Sequence, residues 1–106
     1  MTRLNAVSMW KLTCRKISMR HVFTKKGLED YTYWGKVNKK NRDKIKDLIE
    51  NIKATPFTGI GMPEPLGGNW RGYWSRRINH EHRLVYKIEG KGENQKIVIV
   101  QARYHY

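Results

Sequence analysis

The sequence predicts an α+β domain, and three observations carry that prediction. A short β-branched and aromatic run, Arg20–Phe23, comes first. Two stretches of helical period follow, between Thr24 and Lys53. From Pro63 onward the chain takes on strand character: the segments Tyr73–Asn79, His82–Ile88 and Lys96–Tyr106 are rich in aromatic and β-branched residues and alternate at a spacing of two. The order strand, helix, helix, strands within 106 residues fits one small domain that buries enough surface to fold without staples.

Residues 1–18 read as a loosely held N-terminal extension. They contain Arg3, Lys11, Arg15 and Lys16, no acidic residue, and apolar residues with no sustained period. The domain proper is therefore expected to span residues 19–106, with Met19 a candidate start. Cys14 lies in the extension without a base partner and reads as a spectator thiol. Thr24 is the expected N-cap of the first helix, whose core face is read from Leu28, Tyr31 and Trp34 or Val37 at three-residue steps. That spacing explains Tyr31, Tyr33 and Trp34 as core packing rather than a base-stacking platform. Asn38 is the expected cap of the second helix. Ile45, Leu48, Ile49 and Ile52 form its apolar stripe, while Lys39, Lys40, Arg42, Lys44 and Lys46 occupy its other faces, as a solvated surface or a contact for phosphate. Thr55-Pro56 ends it, because proline disfavours helical geometry in the residue before it.

The loop Phe57–Gly72 has five glycines, and Pro63 and Pro65 restrict the backbone of Glu64 between them. This is either a surface acid or a carboxylate held rigidly at a site mouth. In the strands that follow, Trp74 and Ile78 mark a core face, with Tyr73, Ser75, Arg77 and Asn79 opposite. Leu84, Tyr86 and Ile88 mark another, with His82 on the same side as a satisfied structural histidine. In the last strand Val98, Val100, Ala102 and Tyr104 alternate with Ile97, Ile99, Gln101, Arg103 and His105, so one face stays in the core while the other opens into a polar site. Successive antiparallel pairing would put Arg77, Arg83, Arg103 and His105 on one concave face; a one-residue slip would break the grouping.

The charge balance narrows the function. Lys and Arg number 22 against 9 Asp and Glu, a formal net charge of +13, which attracts polyanions, nucleic acid foremost. No Cys/His spacing suggests a metal site, and no cofactor is expected. The longest apolar run, Ile97–Val100, is far too short for a membrane span, and the N-terminus lacks the apolar core of a signal peptide; a reducing cytoplasm is the expected location.

The segments PEPL (from Pro63), YWSRRI (from Tyr73), HRLVY (from His82) and the terminal RYHY, with EDYTYW (Glu29–Trp34) and TPF (Thr55–Phe57), resemble the YoeB family of bacterial toxins within the RelE superfamily. The resemblance runs from about Met19 to Tyr106. It implies a microbial-ribonuclease-like, RelE-like fold with two N-terminal helices packed on a twisted antiparallel sheet. It implies a ribosome-dependent endoribonuclease that cuts mRNA in the ribosomal A site and stops translation, neutralised by a YefM-like antitoxin, and it leaves room for a homodimer. It assigns catalytic roles to Glu64, Arg83, His105 and Tyr106, and site arginine status to Arg77. The family commonly has a lysine directly after PEPL; here that position is Gly67, so Arg71 or Arg76 would supply the phosphate-binding charge, with Arg103 a further substrate contact. Lysines common in the preceding loop are replaced by Ile60 and Met62.

The implied chemistry suits these residue types. Metal-independent RNA cleavage uses the 2′-hydroxyl as nucleophile, so one group must take its proton and another must protonate the departing 5′-oxygen. A carboxylate (Glu64) and an imidazole (His105) can divide that work. Guanidinium groups stay charged and match the oxygens of the transition state. The competing reading is a non-catalytic basic module that binds RNA or an antitoxin.

Overall fold

The computed structural model describes residues 19–104. Expectations about the extension 1–18, and about the placement of His105 and Tyr106, lie outside the described residues. The elements are β1 (Arg20–Phe23), α1 (Lys25–Val37), α2 (Lys39–Ala54), β2 (Glu64–Pro65), β3 (Trp74–Arg77), β4 (Arg83–Glu89) and β5 (Lys96–Gln101). They form an α+β fold with two helices on a five-stranded sheet of order β1-β5-β4-β3-β2. The sheet is mixed rather than wholly antiparallel, because β1 lies parallel to β5. The chain from β1 passes through both helices before reaching the rest of the sheet, and that long connection allows a parallel neighbour.

Both helix starts follow from local chemistry. The Thr24 hydroxyl accepts the Gly27 N–H at 3.1 Å, and Asn38 Oδ1 accepts the N–H of Lys40 at 3.1 Å and of Asn41 at 3.4 Å. Ile45, Leu48, Ile49 and Ile52 of α2 are buried in the core with Leu84, Tyr86, Ile97 and Ile99 of the sheet. Each such side chain contributes roughly 1.5–3 kcal/mol by leaving water.

In α1 the expected row holds at Trp34, which is buried, and at Tyr31, which packs against the core, but not at Leu28. Gly27, Asp30 and Trp34 face inward, while Leu28 and Val37 are 51% and 58% exposed. The cause is close approach: a Cβ on Gly27 would lie 2.3 Å from the Ile99 carbonyl oxygen. Glycine lets the helix settle against β5 on this row, and Leu28, the next residue, is turned outward. Asp30 is buried with its charge met by Lys26 Nζ at 2.8 Å and by the Ala102 N–H at 3.0 Å. Trp34 Nε1 donates to the Ala102 carbonyl at 2.7 Å.

The last strand also departs from the expected alternation. Ile97 and Ile99 pair with Ile88 and Tyr86 on the helix-covered face. Val85 then faces Gln101 while Tyr86 faces Ile99, so Val100 is an extra residue, a bulge. The bulge swaps the faces: Gln101 joins Val85 on the far side, and Ala102 enters the core. The strand ends at Gln101, and Tyr104 takes a left-handed backbone, φ 65°. Regular alternation therefore stops before Tyr104.

Candidate active site

The sheet face away from the helices gathers the site. Glu64 of β2 sits opposite Ser75, and Ser75 sits opposite Val85. Arg77 sits directly opposite Arg83. Glu64, Arg77 and Arg83 thus share one face, with Glu64 diagonal to Arg77 at about 7–8 Å between backbones. Two prolines and a strand pairing hold Glu64 at the sheet edge, where it is exposed. Gly61 and Met62 before it are both left-handed, at φ 83° and 54°, and the Arg77 N–H donates to the Gly61 carbonyl at 2.6 Å. The glycine loop is therefore folded back onto β3 before it delivers Glu64.

Arg83 is largely buried, yet its charge is placed by backbone. Nη1 donates to the carbonyls of Asn79, His80 and His82 at 3.0, 3.3 and 3.2 Å. That turn is in turn closed by Asn79 Oδ1, which accepts the N–H groups of Glu81 and His82 at 2.8 Å each. The carbonyl ring compensates a buried cation without neutralising it. Like charges directly opposite on a sheet repel, so the pair Arg77–Arg83 concentrates positive potential where an anion would relieve it.

The chain end reaches the same place. The Arg83 N–H donates to the Tyr104 carbonyl at 3.1 Å, and the Tyr104 N–H donates to His82 Nδ1 at 2.7 Å. The residue before His105 is thus bonded to the backbone of Arg83. His82 is packed edge-on against Trp34, ring centres 4.8 Å apart.

The other arginines stand elsewhere. Arg71 is exposed in the loop joining β2 and β3. Arg103 lies over the Tyr33 ring of α1 at 3.5 Å and near the Tyr104 ring at 4.7 Å, and so does not join Arg77 and Arg83. Arg76 does not fit the expectation of a phosphate contact, because it is completely buried. Its Nε donates to Tyr86 Oη, Nη1 to Asn51 Oδ1 and the Ile60 carbonyl, and Nη2 to the carbonyls of Thr55 and Thr58, all within 3.2 Å. It pins the glycine loop to the interior. Burial pushes the Tyr86 hydroxyl above the usual phenol range, against the pull of Arg76. The signal for Arg76 was present in the sequence: alternation puts it with Trp74 and Ile78. The roles of Asp30 and His82 toward the chain end had none, since both depend on contacts from distant segments.

Among the described residues no group of His, Cys, Asp and Glu is arranged to hold a metal, and no helix is long and apolar enough to cross a membrane.

Known proteins resemble this chain over the same span. The family model for the YoeB-like toxin of bacterial type II toxin–antitoxin systems matches residues 23–106. Toxin YoeB of Streptomyces coelicolor is 51% identical over 88 residues, 83% of this chain and 100% of that protein. The solved YoeB/ParE toxin from Agrobacterium tumefaciens is 48% identical with a TM-score of 0.79, covering 83% of this chain and all of that one. YoeB from Staphylococcus aureus, solved as a dimer, is 42% identical with a TM-score of 0.75 over 84% of this chain and 99% of that one. The YoeB-YefM complex from the same organism matches at 43% identity and a TM-score of 0.73, over 83% of this chain and 98% of that one.

Proposed function

The chain belongs to the YoeB-like toxins of bacterial type II toxin–antitoxin systems, and from that premise we propose that it is a metal-independent endoribonuclease that cuts mRNA in the ribosomal A site. It acts in the bacterial cytoplasm and arrests translation. A YefM-like antitoxin restrains it, as the name of the Staphylococcus aureus complex suggests, and the dimer solved for that relative supports a homodimer. An acidic antitoxin segment would complement a chain of net charge +13.

In this reading Glu64 takes the proton of the 2′-hydroxyl as that oxygen attacks the adjacent phosphorus. The P–O5′ bond breaks, and His105 gives its proton to the leaving 5′-oxygen, leaving a 2′,3′-cyclic phosphate. Arg83, with Arg77 opposite, neutralises the charge that builds on the non-bridging oxygens. Tyr106 holds the substrate by its ring or hydroxyl. Arg71 offers a phosphate contact from its loop, and Arg103 lends charge from its seat on Tyr33. Arg76 has no part in substrate binding. The observation that carries the proposal is the bond from the Arg83 N–H to the Tyr104 carbonyl. His105 follows Tyr104 directly in the chain, one Cα step of about 3.8 Å, and that connectivity supports assigning it the role of acid.

The test maps RNA ends in a translation reaction containing the chain, its Arg83→Ala variant, or a form lacking His105 and Tyr106. Loss of Arg83 should slow cleavage by roughly 10²–10³-fold, and loss of the two terminal residues by roughly 10²–10⁴-fold. Arg83→Ala also removes a brace of the turn, so a stability loss of about 1–2 kcal/mol should accompany it, read by thermal melting. Parental cleavage in both variants would overturn the mechanism. Translation arrest without any new RNA ends would favour a non-catalytic binding module.

A further inference from the structure

The peptides just before the proposed acid are bonded at every step. The Ala102 N–H meets Asp30 Oδ2 at 3.0 Å and its carbonyl meets Trp34 Nε1 at 2.7 Å. The Arg103 carbonyl accepts from Gln101 Nε2 at 3.0 Å. At Tyr104 the carbonyl accepts from the Arg83 N–H at 3.1 Å, and the N–H donates to His82 Nδ1 at 2.7 Å. Tyr104 is also left-handed, φ 65°, a conformation that costs a non-glycine residue free energy and persists only when its surroundings impose it. The only side chain bonded to its backbone among the described residues is His82.

We propose that His82 is a positioning residue for cleavage: its Nδ1 lone pair fixes the Tyr104 N–H, and so holds the backbone from which the chain continues to the proposed acid. The inference rests on the endoribonuclease reading given above. A backbone N–H can only donate, so Nδ1 must be bare and the neutral ring carries its proton on Nε2, where the Glu81 carboxylate stands 3.8 Å away. Trp34 packs edge-on against the ring, centres 4.8 Å apart, while the Trp34 Nε1–H holds Ala102. One helix residue thereby sets both the histidine and the segment it grips. His82 touches no reacting atom; it acts through the backbone of Tyr104. Misplacing a catalytic group by about 1 Å costs on the order of 10²-fold in rate.

Two substitutions separate aim from bulk. His82→Phe keeps a ring against Trp34 but has no acceptor. His82→Asn is smaller, yet its Oδ1 takes the place of Nδ1. Single-turnover cleavage on programmed ribosomes should show His82→Phe slowed by on the order of 10²-fold at saturation, with half-saturation barely moved and with the melting temperature close to that of the parent. His82→Asn should recover most of the rate even if it melts earlier. Parental rate in His82→Phe would overturn the inference, and so would rates that follow melting temperature in both variants, which is the signature of simple packing. A parent chain that cuts no RNA would overturn the endoribonuclease reading itself, and this inference with it. A cutting parent with an unaffected His82→Phe would sink the inference alone.

Discussion

Arg76 and Arg77 are adjacent in β3, and the fold assigns them to opposite sides of the sheet. Arg76 is wholly buried and donates to a tyrosine, an asparagine and three carbonyls. Arg77 is exposed and stands opposite another cation, Arg83. The same chemistry therefore has two uses. On the helix-covered side a guanidinium is a multi-armed brace that satisfies loop carbonyls and ties α2, the glycine loop and β4 together. On the far side a guanidinium is held where its charge is reinforced rather than spent, which a stable fold would avoid without a ligand to receive it. The charge count of the chain does not distinguish these uses, whereas the period of a strand does.

Substituting each arginine by methionine tests that contrast most strongly. Arg76→Met leaves the carbonyls of Thr55 and Ile60 without the Arg76 donor, while Thr58 keeps the Thr55 hydroxyl at 2.8 Å, and each orphaned acceptor costs about 1–3 kcal/mol. We expect a loss of at least about 2 kcal/mol, read by urea unfolding at constant slope. Arg77→Met should stay within about 0.5 kcal/mol of the parent, as surface substitutions do. Cleavage by Arg77→Met should nonetheless fall about 10–10²-fold, the worth of one charged hydrogen bond. Equal stability losses in the two variants would erase the distinction between the faces.

Much of this division was legible beforehand. Helix caps at Thr24 and Asn38, the stripe of α2 and the stop at Thr55-Pro56 are local, so short-range chemistry suffices to read them. The facing of Arg77 and Arg83 was open to a one-residue slip but favoured by the short turn between their strands, whereas Glu64 stood between a surface acid and a site carboxylate, and only its pairing with Ser75 puts it on their face. What escaped was set by contacts across the chain. The bulge at Val100 and the left-handed Tyr104 depend on β4 and His82. The inward face of α1 depends on how closely a glycine lets the helix approach β5, and apolar spacing pointed to Leu28 instead. Arg76 shows a different failure: the alternation placed it in the core, and the habit of reading arginine as surface charge overrode that signal.

The helix repeats the contrast in adjacent residues at a smaller scale, and so provides its finest tests. Gly27→Ala should be the larger effect. Alanine favours an isolated helix by roughly 0.5–1 kcal/mol over glycine, yet its Cβ would meet the Ile99 carbonyl oxygen at 2.3 Å, a backbone atom fixed in the sheet. Overpacking of that kind costs about 1–3 kcal/mol, so the clash should win and the variant should unfold at lower urea. Pushing α1 outward would also stretch the bonds from Asp30 and Trp34 to Ala102, and cleavage should drop along with stability. Leu28→Gln should do almost nothing. Leu28 is 51% exposed, glutamine matches leucine closely in helix propensity, and surface substitutions away from special features stay within about 0.5 kcal/mol. For a domain of this size that corresponds to a melting shift of no more than about 4 °C. A larger fall would mean that Leu28 is covered in solution by something other than residues 19–104, and that α1 buries its outer face as well as its inward row.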